Sequence, residues 1–209
     1  TKEQKPAIHE DRTPAPKQRA KPVIMIDPGH GGIDPGAVST ANLYEKTVVL
    51  AVAKQLQSAL VAKGRYDVLM TRQSDVFVSL DQRLKLSRQT APDLFISLHA
   101  DSIDTKGLTQ AIRGASVYTL SERASDELAR LAAEKENASD LIAGLQTAEG
   151  EGQDQVRSIL IDLLKRETAN FSADFSRMLV SKLGKSVPLA RDHSRAAAFK
   201  VLKQPGSPS

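Results

Sequence analysis

The sequence predicts an α/β protein, a sheet covered by helices. Two observations carry that expectation. Short apolar runs at 23–26, 66–70, 93–98 and 114–120 alternate with stretches of helical periodicity, the pattern of buried strands joined by helices. Two of the four histidines, His30 and His99, fall just past the ends of such runs. That is where open α/β sheets gather their ligands.

The first strand, Val23 to Ile26, stops at Asp27-Pro28-Gly29 and opens into a glycine-rich loop around His30. Leu43 to Lys63 carries Val49, Val52, Leu56 and Leu60 at helical spacing, with Gly64 as a stop. Tyr66 to Met70 is the next strand. Leu80, Leu84 and Leu86, with Arg83 and Arg88 between them, predict a helix ending near Ala91-Pro92. Asp93 to Leu98 is a third strand leading into His99-Ala100-Asp101, and Gly114 to Leu120 a fourth. Ser121 to Asn137 reads as a helix with Ser121 as N-cap. Leu141 to Asp154 is polar and glycine-containing, hence a loop. Gln155 to Leu183 is a long helix expected to bury Ile159, Leu163, Phe171, Phe175, Met178 and Leu179, closed by Gly184. Ala198 to Leu202 suggests a last strand. No internal repeat is present.

Composition narrows the class. A chain of 209 residues, 40% hydrophobic and 26% charged, suits one large domain. Much of the net charge of +4 sits in residues 1–21, where Lys2, Lys5, Arg12, Lys17, Arg19 and Lys21 mix with prolines. That segment reads as a disordered linker ahead of a folded domain at 22–209. Aromatics are only 4%, with no Trp, which argues against a base-stacking nucleic-acid surface. The absence of cysteine excludes thiolate metal sites and thiol nucleophiles. No apolar stretch is long enough to span a membrane. The GHGGIDPG loop lacks the Lys-Ser/Thr of a phosphate loop and the spacing of a dinucleotide fingerprint, and no serine nucleophile elbow occurs.

The chemistry-bearing set is His30, Glu45 and His99. Two imidazoles and a carboxylate are a usual ligand set for catalytic zinc, leaving a position for water. Glu45 falls where the first turn of a helix would point back at the strand end, and glycines 29, 31 and 32 would let substrate approach without Cβ interference. Taken singly, each residue has an ordinary reading: a loop histidine, a solvated helix glutamate, a hydrogen-bonded strand terminus. Asp27 and Asp101 flank the two histidines and are candidates to orient an imidazole, or for Asp101 to reach the metal itself. Asp27 equally suits a cap on the loop's own amides. His9 lies in the linker, and His193 reads as a loop residue near the C-terminal strand.

The motifs together resemble a known family. Ile26-Asp27-Pro28-Gly29-His30-Gly31-Gly32, Asp34-Pro35-Gly36-Ala37, the glutamate of Leu43-Tyr44-Glu45-Lys46, Met70-Thr71-Arg72, Leu80 with Arg83, and Phe95-Ile96-Ser97-Leu98-His99-Ala100-Asp101 occur in that order. The chain is similar to the zinc-dependent N-acetylmuramoyl-L-alanine amidases of bacterial cell-wall turnover, and more narrowly to the periplasmic division amidases of Gram-negative bacteria. The resemblance implies a mixed, mostly parallel sheet sandwiched by helices, with an inserted helical regulatory segment at 121–154. It implies Zn2+ held by His30, Glu45 and His99, and hydrolysis of the amide joining N-acetylmuramic acid to the L-alanine of the peptidoglycan stem.

The resemblance also implies a glutamate general base on a final strand beyond Ser209. The inserted helix would act as a lid, with Glu127 as the residue that blocks the metal and Glu122 and Glu134 behind it. An activator protein of the LytM-domain type would displace that lid. A periplasmic monomer is expected on the same ground. The alternative is a zinc-binding, wall-associated module of the same fold without catalysis. A zinc deacetylase or carboxypeptidase is a more distant one.

Overall fold

The computed structural model of the chain describes residues 19–100, 113–142, 144, 155–204 and 207–209. Three parallel strands come first, β1 (Val23–Pro28), β2 (Asp67–Met70) and β3 (Leu94–Leu98), in the order β2-β1-β3. The central strand, β1, is buried along its whole length, which is why its sequence is a continuous apolar run rather than an alternating one. Its side chains still divide between two cores. Ile24 and Ile26 pack with Ala53, Leu56 and Leu60 of helix α1 (Glu45–Ala62) on one face. Met25 joins Phe95 and Leu80, the first residue of helix α2 (Leu80–Thr90), on the other face. Full burial of each such side chain is worth roughly 1.5–3 kcal/mol.

Local signals set the helix ends. Ser79 caps α2 in a reciprocal capping box with Gln82, and Ala91 ends it in the left-handed conformation just before Pro92. Gly64, at φ +67°, follows the last turn of α1 in the same way.

A second, two-stranded parallel sheet pairs β4 (Ala115–Leu120) with β5 (Leu189–Ala197). Helices α3 (Glu127–Asn137), α4 (Ser139–Ile142) and α5 (Gln155–Leu183) complete the α/β framework. The apolar stripe of α3, Ala129, Ala132 and Ala133, closes the core over Met25 and Phe95, together with Phe199, Val201 and Leu202. Between the two sheets lies a cavity of about 560 Å³, walled by β3, β4 and the Phe175–Leu179 side of α5. The Pro208 carbonyl accepts from the Phe95 N–H on the β3 side of that gap, and Ser209 lines it.

Three expectations need correction. The helix after β4 starts at Glu127, and its cap is Asp126, whose side chain accepts from the Ala129 N–H. Ser121 instead donates its backbone N–H to Ala197. The last strand lies earlier than 198–202: β5 covers Leu189–Ala197, and Lys200–Leu202 is a single 3-10 turn. On α5, Phe171 and Met178 are 57% and 55% exposed, while Ser172 and Ser176 are buried. The helix turns its Ser172–Phe175–Ser176–Leu179 side to the cavity, and the other two apolar residues fall on the opposite side. The side chains of Ile159 and Leu163, and most of 141–154, lie outside the described residues.

A candidate metal centre at the strand ends

The turn leaving β1 places His30 in the left-handed region, at φ 56°. For a residue with a Cβ this costs about 1–2 kcal/mol, so the surroundings must impose it. Asp34 then fixes the ring: its Oδ2 accepts from His30 Nδ1 at 2.8 Å, leaving Nε2 to face inward. Glu45, the first residue of α1, is buried at a helix N-terminus, where a carboxylate is favoured. Both of its oxygens are aimed by backbone amides, Oε2 accepting from Ala37 and Oε1 from Ala100, at 2.8 and 2.7 Å. His99 follows β3, its ring close to perpendicular to that of His30 with centroids 4.9 Å apart.

A fourth side chain enters from α3. Glu136 is 6% exposed, and its Oε2 stands 3.0 Å from His99 Nδ1 and 3.3 Å from His30 Nε2. Glu45 stands 3.2 Å from His30 Nε2 and 3.3 Å from His99 Nδ1. Two nitrogens and two carboxylates therefore converge on one point.

The electrostatics follow from that crowding. Burial opposes a charged His30, but its hydrogen bond to Asp34 and the close carboxylates of Glu136 and Glu45 outweigh burial and push it up to about 11. His99 is pushed up to about 10 by Glu136 and Glu45, again against burial. Burial would raise Glu45 and Glu136, yet the two imidazoles hold both far below the usual carboxylate range.

These residues fit a metal. Buried His30 Nε2 has no partner in hydrogen-bond geometry despite two carboxylate oxygens at hand. The donor atoms of His30, His99 and Glu136 all lie within 4.8 Å of one another. Mixed nitrogen and carboxylate donors of this kind suit zinc.

His30, Glu45 and His99 come together. Glu127 does not: it is solvent-exposed and ion-paired to Arg130, three residues on. Glu134 pairs with the same arginine, and Glu122 is exposed. Glu136 is the glutamate that turns inward, and sequence reasoning missed it. Asp27 touches neither imidazole. It is fully buried, accepts from Thr71, Ser97 and Arg83, and stays ionised despite burial because Arg83 and those donors lower its pKa. The carboxylate that orients His30 is Asp34, also missed. Asp101 and His9 lie outside the described residues. His193 bonds the Ala190 carbonyl within β5.

The glycines make room for protein atoms rather than substrate. A Cβ on Gly29 would lie 2.4 Å from His99 Cε1, and one on Gly31 would lie 2.2 Å from the Val76 carbonyl oxygen. The bare loop lets the second imidazole close over the first strand.

Two imidazoles at the ends of parallel strands and two carboxylates from flanking helices, meeting at one point, define the class: an α/β protein with the donor set of a metallohydrolase. The chain belongs to the N-acetylmuramoyl-L-alanine amidase family, Amidase_3, whose model matches residues 24–209. It is 36% identical over 208 residues to the N-acetylmuramoyl-L-alanine amidase AmiC of Escherichia coli O6:H1, covering 99% of this chain and 48% of that protein. It is 37% identical over 199 residues to AmiA of Escherichia coli K12, covering 93% of this chain and 65% of that protein. Among solved structures, an N-acetylmuramoyl-L-alanine amidase from Clostridium difficile 630 matches at 20% identity and a TM-score of 0.48, over 90% of this chain and 76% of that one. The chain thus spans about half the length of the AmiC relative.

Proposed function

We propose that this chain forms the catalytic part of a zinc-dependent N-acetylmuramoyl-L-alanine amidase, held inactive by Glu136. The observation that carries the reading is the insertion of a carboxylate from α3 against both imidazoles of the strand-end site. His30, Glu45 and His99 would hold the ion, and Glu136 would fill the position a water needs. When bound, zinc supplies a Lewis acid for the scissile carbonyl and acidifies a water at neutral pH. Asp34 keeps the proton on His30 Nδ1, so that Nε2 offers its lone pair. The Ala37 and Ala100 amides hold Glu45 ionised and oriented.

The substrate in this reading is the amide between N-acetylmuramic acid and L-alanine in peptidoglycan, cut in the periplasm during wall remodelling and daughter-cell separation. The inserted segment, 121–154, acts as the lid within a domain at 22–209. It is tethered at both ends of α3. Asp126 pairs with buried Arg195, and Asn137 bonds the Ala198 carbonyl and the Lys200 amide at 2.9 and 2.7 Å. An activator protein of the LytM-domain type would open it, acting on a monomer. The test is release of stem peptides from purified sacculi by the zinc-loaded protein. Glu136→Ala should release them faster than the parent. Loss of activity in that variant, or release of acetate or D-alanine instead, would overturn the reading. Among the described residues, no helix is long and apolar enough to cross a membrane.

A further inference from the structure

Three successive carbonyls of the turn that carries His30 all accept from arginine. The Pro28 carbonyl receives Arg72 Nε at 3.0 Å and Arg83 Nη1 at 2.8 Å, the Gly29 carbonyl receives Arg72 Nη2 at 2.7 Å, and the His30 carbonyl receives Arg83 Nη2 at 2.9 Å. Arg83 Nε is anchored on the Val78 carbonyl at 2.9 Å, and Nη1 also pairs with Asp27 at the end of β1. Arg72 reaches further, to the Ser74 and Lys46 carbonyls. Both arginines are buried. Burying two like charges side by side is costly, and burial followed by Arg83 is what lowers Arg72. Helix packing alone does not account for a guanidinium pair aimed at one turn.

We propose that Arg83, with Arg72 beside it, is a positioning residue of the metal centre. Its planar fork draws the Pro28 and His30 carbonyls to one side and so enforces the left-handed backbone that aims His30 Nε2 at His99, Glu45 and Glu136. Lysine cannot replace it, because one ammonium cannot span carbonyls two residues apart and hold an anchor at Val78 as well. The inference rests on the metal reading of the site. It goes beyond that reading by assigning the site's geometry to residues that never touch the ion.

The test compares Arg83→Lys with Leu84→Ala, a neighbouring α2 substitution that lowers stability by opening the core without touching the turn. Zinc affinity is measured by competition with a chromogenic chelator, the visible spectrum is recorded on the cobalt-loaded proteins, and thermal midpoints are taken on the same samples. Arg83→Lys should bind zinc about ten- to a hundredfold more weakly than the parent and show a shifted cobalt spectrum. Leu84→Ala should melt earlier yet keep parental affinity and spectrum. Should Arg83→Lys fail to fold, Arg72→Lys, which loses the bonds to Pro28 and Gly29, carries the same comparison. Parental affinity and spectrum in the arginine variant, or equal losses in Leu84→Ala, would overturn the inference while leaving the metal reading intact. A parent chain that binds no zinc would overturn both.

Discussion

Glu136 Oε2 lies 3.0 Å from Nδ1 of His99, a closer approach than the 3.3 Å made by Glu45 to the same nitrogen. A glutamate from α3 is thus as intimate with the site as the glutamate at the start of α1. Because Glu136 sits on the Ala129–Ala132–Ala133 side of α3, the helix cannot dock its apolar stripe without also delivering the carboxylate. Core packing and site closure are one event.

Replacing that carboxylate should therefore move affinity and activity in opposite directions. Glu136→Gln removes a charged donor, so zinc should bind about tenfold more weakly, by analogy with the loss of a supporting group. If Glu136 closes the site as proposed, peptide release per zinc-loaded molecule should rise about tenfold or more. Chelator titration and a sacculus assay on the same preparations check both.

Acidity should set metal affinity steeply. The surrounding carboxylates push His30 up to about 11 and His99 up to about 10, above the ordinary histidine value of 6.5. Their protonated forms therefore contribute to folding stability fully below about pH 6.5 and lose that contribution as pH rises through 10 to 11. Zinc needs both imidazoles neutral, so at neutral pH it displaces two protons and its affinity should climb by up to about two log units per pH unit. Competition titrations across roughly pH 6 to 8 measure the slope. A slope near zero would mean the imidazoles are already neutral.

Gly29→Ala tests the close approach of the second histidine. The new Cβ would fall 2.4 Å from His99 Cε1, so the ring must move. Zinc affinity should fall about tenfold or more while the far-UV circular dichroism stays that of the parent.

The contacts at the start of α3 offer a way to test the proposed lid from a distance. Asp126→Ala removes the helix cap, at about 0.5–2 kcal/mol, and leaves buried Arg195 with only the longer pairing to Asp192, at 3.6 Å. Amides of α3 should exchange hydrogen faster, and peptide release should rise partway toward that of Glu136→Gln. Asp126→Asn keeps a capping oxygen but not the charge, and should fall between.

Much of the fold and half of the site are legible in the sequence. A buried parallel sheet writes itself as continuous apolar runs, and the ends of those runs mark His30 and His99 as neighbours at the carboxyl ends of adjacent strands. Glu45 is readable because a helix beginning after a short loop must point its first turn back at the strand ends. The inward-facing residue of α3 is harder, yet the sequence carries a signal. Arg130 stands three residues after Glu127 and four before Glu134, and it pairs with both, marking that face as the solvated one. Glu136 falls instead in phase with the alanines. The support beneath the site is not legible in this way. Asp34, Arg72 and Arg83 act on His30 through a turn whose backbone conformation no spacing rule reveals, and Asp27 meets Arg83 across 56 positions of sequence.

Whether Glu136 shares the metal with His30, Glu45 and His99 is read most directly from an anomalous-scattering map at the zinc edge, taken on crystals of the zinc-loaded protein. The expected result is a single peak within bonding distance of His30 Nε2, His99 Nδ1 and carboxylate oxygens of Glu45 and Glu136. No peak at that point, or a peak from which Glu136 has turned away to solvent, would contradict it.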